Sequence, residues 1–257
     1  MDSITTAKLM RGSIGMLGMH WLMSPSTNAK AQASGMPEGL AAYAIGRLGV
    51  MGDCPPDEVI DAAYFLAGDY LRGHIEAGRA VMSPSEGAAI YARICQEWGE
   101  DHLDGYEGNA RLCELAERIV SNAAGEDAAI FVGWRAQPLP ESLPARTMQL
   151  VQTLRELGFA RHRAAVEDSD MSPLDAIMSG PTGAWNARFF GWAEPYPDGE
   201  PMRDARKAVE VESNRRHATD FEIFTDEERE EFVALARGAG AYANDRMTSE
   251  SGAALPS

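Results

Sequence analysis

Helix start signals recur along the whole chain, while the period-two runs of Val, Ile, Thr and Tyr that mark strands are nearly absent. Pro55-Pro56 puts proline in a first helical turn, where a missing N–H costs nothing. Ser83-Pro84-Ser85-Glu86 and Thr225-Asp-Glu-Glu228 have the capping-box pattern, and Ser172-Pro173 opens a short helix that stops at Gly180-Pro181. Apolar residues at helical spacing follow these starts: Val59, Ile60, Ala63 and Leu66 after one, Ala89, Ile90, Ile94 and Trp98 after another. The pattern admits an all-α fold, a multi-helix bundle, and excludes sheets as its organising layer. Breaks in composition divide it into a helical ligand-pocket unit over 1–180, an aromatic segment with C-terminal helices over 181–240, and a disordered tail over 241–257.

Charge narrows the function. With 39 acidic against 23 basic side chains, the 257-residue chain carries a formal charge of −16, which opposes binding to a polyphosphate through bulk charge. Nucleic acid is therefore disfavoured as a partner, although a local basic patch is not excluded. No apolar run reaches the ~18 residues a membrane-crossing helix needs. Cys54, Cys95 and Cys113 are widely spaced and form no C-x-x-C pair, as expected of free thiols rather than disulfides or a zinc knuckle. Lys8 and Arg11 ahead of the apolar stretch Ile14–Met23 imitate a signal peptide, but two glycines and His20 interrupt that stretch, so the expected compartment is the cytoplasm.

Five histidines, at 20, 74, 102, 162 and 217, make no H-E-x-x-H, E-x-x-H or H-x-H motif. The densest group of hard-cation donors is Glu97, Glu100, Asp101, His102, Asp104 and Glu107; acidic stretches near a helix end are mostly solvated, and no metal is expected there. The helix through Leu154–Val166 is more informative, because Arg155, Glu156, Arg161, His162 and Arg163 interleave with apolar residues. This is either a surface helix with i,i+4 ion pairs or a pocket helix offering Arg and His to a polar ligand. His20, set among Met16, Met19 and Met23, reads as a core residue or as a neutral imidazole on an adaptable apolar lining.

The order His20…Pro25, Tyr43-x-x-x-Arg47-Leu-Gly49, Val59-Ile-Asp-Ala-Ala-Tyr-Phe65, Pro138-Leu-Pro140, Leu154-Arg-Glu156 and His162-Arg-Ala-Ala-Val166 resembles the SalK-like family, actinobacterial proteins grouped with the helix-turn-helix class. The resemblance spans roughly residues 10 to 240 and rests on motif order more than on any one motif. It implies that His20, Arg47, Arg155, Glu156 and His162 converge on one pocket. Two departures stand out. The family's H-R-G-D-G block is Leu157-Gly-Phe-Ala-Arg161 here, and its winged-helix segment is reduced to the short, proline-rich Phe189–Met202 stretch. The expected fold is accordingly a bundle whose winged-helix segment is shortened or missing toward the C-terminus.

The expectation is a cytoplasmic small-molecule-binding helical protein, a metabolic enzyme or a relative of one, with a His- and Arg-lined hydrophobic pocket. His20, His162 and Glu156 would serve catalysis; Arg47, Arg155, Tyr43 and Phe65 would hold the ligand. Two alternatives stay open. One is a transcriptional regulator using the cations Arg203, Arg206, Lys207, Arg215 and Arg216; the other is a helical scaffold docking a partner, with a homodimer allowed, through Trp185–Tyr196. Cofactor, substrate and reaction are not specified by the residues.

Overall fold

A computed structural model of the chain describes residues 1–253, with side chains described through residue 248. Among the described residues every regular element is a helix. In order these are α1 (Ser3–Met23), α2 (Pro25–Ala33), α3 (Leu40–Tyr43), α4 (Pro56–Ala63), α5 (Gly68–Arg79), α6 (Pro84–Leu103), α7 (Asn109–Asn122) and α8 (Ala129–Arg135). Then come α9 (Leu143–Glu167), α10 (Pro173–Met178), α11 (Gly183–Phe189), α12 (Arg203–Ala218) and α13 (Asp226–Ala253).

The start signals act as expected. Ser83 Oγ accepts the Glu86 amide at 3.3 Å, Ser172 and Asp175 complete a reciprocal box, and Thr225 Oγ1 accepts the Glu228 amide at 3.2 Å. Ser24 and Pro25, which read as a break, instead cap a further helix, with Ser24 Oγ accepting the Ser26 amide at 3.3 Å. The apolar stripe from Val59 to Leu66 outruns its helix, because Tyr64 takes φ 51° and α4 ends at Ala63. Positions 241–253, small and polar in composition, continue α13: Ala243 is buried and the Tyr242 hydroxyl donates to the Asp104 carbonyl at 2.8 Å. Residues 254–257 lie outside the described residues.

Helix α9 is the axis of the bundle, packed by α1, α6, α7, α8 and α12. A helix covered this fully should be apolar all round, yet Thr147, Gln149, Gln152, Thr153 and Glu156 are all buried in it. Each has a partner, as buried polar groups require: Thr147 donates to Asn109 Oδ1, Thr153 to the Gln149 carbonyl, and Gln149 to the Gln137 carbonyl. Gly99 sets the approach of α6 to α9, since a Cβ there would stand 2.5 Å from the Pro144 carbonyl oxygen. α1 closes the other side, against α9, α12 and α13. From Phe190 to Met202 the chain has only a single 3₁₀ turn, Glu200–Met202, and no strand.

Candidate functional site

The site begins with a turn of π-helix, Ala44–Leu48, between α3 and the 3₁₀ turn Gly49–Met51. It carries Arg47 into the core, where Nε and Nη2 donate to the two carboxylate oxygens of Glu156 at 2.8 and 2.5 Å. Arg47 Nη1 donates to the Tyr43 hydroxyl at 2.7 Å, and the Arg47 carbonyl accepts from Trp134 Nε1 at 3.2 Å. Gln152 and Arg155 also donate to Glu156 Oε1, at 2.5 and 3.1 Å. Burial works against the Glu156 charge, but Arg47 and then Arg155 outweigh it and hold the carboxyl below its ordinary range. Arg47 is likewise opposed by burial and kept charged by Glu156 and Tyr43. Four residues that the sequence grouped, Tyr43, Arg47, Arg155 and Glu156, thus form one network. Its carboxylate takes four donors, three on Oε1 and one on Oε2, an arrangement that locks helices together.

A cavity of about 190 Å³ lies beside this network, where α12 crosses α1 and α9. Met10, Ile14, Leu154, Phe159, Phe221 and Phe232 supply its apolar wall. Its polar groups are Arg11, Arg155, His162 and His217. Phe159 and Arg155 connect the two regions: the Arg47 guanidinium carbon sits 5.0 Å from the Phe159 ring centre, and Arg155 touches both Glu156 and the chamber. Arg11 is held by Glu210, which also accepts from Arg206 at 2.7 Å, so two guanidiniums share one carboxylate at the rim.

The two imidazoles of the chamber are in different states. Ser213 donates its single hydroxyl hydrogen to the Val209 carbonyl at 2.8 Å, while its oxygen also lies 2.9 Å from His162 Nδ1. Both bonds are satisfied only if His162 carries its proton on Nδ1, which leaves Nε2 as an open lone pair. His162 stacks on Phe65 at 5.5 Å and 19°, so Phe65 orients an imidazole rather than lining the chamber. His217 is only 7% exposed and its Nε2 has no hydrogen-bond partner. Desolvation, with the nearby Arg11 and Arg206 charges, pushes His162 down to about 3. Desolvation pushes His217 down to about 4, with Asp220 opposing and Arg161 and Arg11 assisting. Both rings are neutral at physiological pH.

His20, the other expected imidazole, is not part of the chamber lining. It is half-buried, its buried Nδ1 lacks a partner, and desolvation lowers its pKa. The pair that converges is therefore His162 with His217, which sequence reasoning missed together with Ser213 and Arg11. A signal existed in the i,i+4 spacing of Ser213 and His217 on α12. Nothing local said that this face lies on α9. Two members of the acidic group from Glu97 to Glu107 are engaged by a cation: Lys30 Nζ bridges Glu97 at 3.2 Å and Asp101 at 2.8 Å. Among the described residues no group of His, Cys, Asp and Glu has the arrangement of a metal site. The three cysteines are free thiols, with Cys95 and Cys113 buried.

The cations considered for DNA contact each face an acid: Arg203 pairs with Glu200, Arg206 with Glu210, Lys207 with Asp204, Arg215 with Glu212, and Arg216 with Glu212 and Asp168. That face of α12 is a mixed-charge surface rather than a basic one. Among the described residues no helix is long and apolar enough to cross a membrane.

Fold and site together define an all-α protein with a saturated ion-pair core and an adjoining imidazole-lined chamber. Residues 7–249 match the model of a helix-turn-helix family, and the chain belongs to that family. No curated protein and no solved structure matches the chain.

Proposed function

We propose that this protein is a ligand-responsive regulator of its helix-turn-helix family, with the chamber between α1, α9 and α12 as its small-molecule site. The observation that carries the reading is the pairing of an apolar cavity with two uncharged imidazoles, one of them with an unpartnered buried nitrogen. Family membership and the SalK-like resemblance support the regulatory half. For duplex contact the candidate is the pair α10 and α11, separated by the four positions Ser179–Thr182, with Trp185, Arg188 and Phe189 exposed and Arg188 paired to Glu194 at 2.7 Å.

The enzyme reading has less behind it. General acid–base work needs a pKa near the working pH, whereas His162 and His217 sit at about 3 and about 4. Glu156 is enclosed in its ion pair. These groups suit binding better than proton transfer.

Native mass spectrometry of protein from its own host tests the ligand half, and a retained small molecule, lost on Ile14→Trp, is the expected result. A gel shift on genomic fragments at low salt tests the regulatory half, with a shift that weakens steeply as salt rises. No shift at low salt would remove the regulator and leave the chamber; no retained molecule and no binding from a metabolite panel would remove the chamber.

A further inference from the structure

Charge around the chamber is unevenly matched. At the rim Arg11 and Arg206 share the single carboxylate of Glu210, through bonds of 2.9 and 2.7 Å. On the α9 side Arg47 and Arg155 share Glu156 in the same way, at 2.8 and 3.1 Å. Each group keeps one unmatched positive charge, in a chain whose formal charge is −16. Arg161 and Asp220, beside His217, balance one another, and the residues that line the cavity include no Asp or Glu. Resting on the reading of this cavity as a small-molecule site, we propose that it takes an amphipathic organic carboxylate, with the head against Arg155 and Arg11 and the apolar body along the wall from Met10 to Phe232.

Arg155 has donors to spare. Its Nη1 donates to Glu156 Oε1 at 3.1 Å, and its Nη2 meets only the thioether of Met19 at 3.7 Å, a weak acceptor. Most of the N–H groups of its fork are therefore unspent on protein acceptors, and that fork matches the geometry of a carboxylate. The backbone of α1 makes way for the side chain at Gly18, where a Cβ would stand 2.5 Å from Arg155 Cδ. With the Arg155 side chain only 19% exposed, an ion pair formed there is screened less than one at the surface.

Arg11 is the more open of the two, its side chain 36% exposed, and the cavity is open to solvent on one side. A ligand carboxylate that takes an edge of Arg11 leaves Glu210 to Arg206, so the exchange strands no charge. The unmatched cations already act on the lining: after burial, Arg11 and then Arg206 are what push His162 down. An ammonium head would meet the same guanidiniums with no acid in the lining to offset it. An uncharged head would leave the excess unmet. Ile14, Leu154, Phe159 and Phe221 then cover the body of the ligand.

The test uses the full chain, titrated by calorimetry near neutral pH and at low salt with octanoate, 1-octanol and octylammonium, which are equal in length and differ in the head. Octanoate is expected to bind at least about tenfold more tightly than octanol, with octylammonium weakest. Its affinity should fall as salt rises, while that of octanol should not. Arg155→Met should remove most of the preference. Glu210→Gln, which takes away the acid that Arg11 and Arg206 share, should tighten octanoate several-fold and leave octanol unchanged. Octanoate binding that neither variant alters would lie outside the chamber and overturn the inference. Should Arg155→Met fail to fold, Glu210→Gln and the comparison on the unaltered chain decide. Octanol bound as tightly as octanoate would overturn the carboxylate assignment and leave the chamber as an apolar site. Failure of all three to bind would overturn it too: a metabolite still retained in mass spectrometry would then spare the ligand-site reading, and nothing retained would end both.

Discussion

Arg47 and Glu156 lie 109 positions apart in sequence and meet as a two-pronged ion pair, at 2.8 and 2.5 Å, with both side chains essentially excluded from water. One comes from a π-turn after α3 and the other from the middle of α9, so the pair ties the N-terminal third of the chain to the central helix. Removing one partner strands a buried charge, which typically costs about 3–5 kcal/mol. Glu156→Ala is expected to lose stability of that order in urea unfolding. The double variant Arg47→Met with Glu156→Leu is expected to lose less than Glu156→Ala alone. A Glu156→Ala chain as stable as the parent would contradict the pairing.

Glycine positions give a packing test that does not involve charge. A Cβ on Gly99 would press on the Pro144 carbonyl between α6 and α9, a backbone atom that cannot rotate away, whereas a Cβ on Gly12 meets nothing within 4 Å. Gly99→Ala should destabilise by about 1–3 kcal/mol through overpacking. Gly12→Ala should raise stability by up to about 1 kcal/mol through helix propensity. Paired thermal melts check both, and equal effects would refute the close approach of α6 to α9.

Acid should weaken the fold before its carboxylates titrate. His162 and His217 drop from 6.5 to about 3 and about 4 on folding, so the unfolded chain binds more protons than the folded one below about pH 6.5. Stability therefore rises with pH through that window and is lost as pH falls, by up to about 1.4 kcal/mol per pH unit for each ring. The charged groups facing these rings are Arg11, Arg161, Arg206 and Asp220. Urea midpoints between pH 7 and 5 should fall with acid in the parent and fall less steeply in His217→Phe.

The tautomer of His162 is open to direct measurement. Nitrogen-15 NMR at neutral pH should show the proton on Nδ1, and Ser213→Ala should release the ring into a mixture of both forms. A parent ring protonated on Nε2 would remove the open acceptor from the chamber.

Much of the architecture was legible because its causes are local. Proline in a first turn, a serine or threonine three residues before a glutamate, and apolar residues every three or four positions all act within one or two turns of helix, and α4, α6, α10 and α13 start where those signals stand. That Tyr43, Arg47, Arg155 and Glu156 lie near one another was also legible in the order of motifs, though as pocket residues beside His20 and His162 and not as a buried ion-pair network. The partner of His162 was not. His20 and His217 are equally good candidates in one dimension, each a histidine on a partly apolar helix. Which of them reaches α9 depends on how α12 crosses α1 and α9, and that crossing is set by the summed packing of side chains far apart in sequence. Local chemistry determined the helices and their ends; only tertiary packing decided which imidazoles share a chamber and which carboxylate is used up in holding it together.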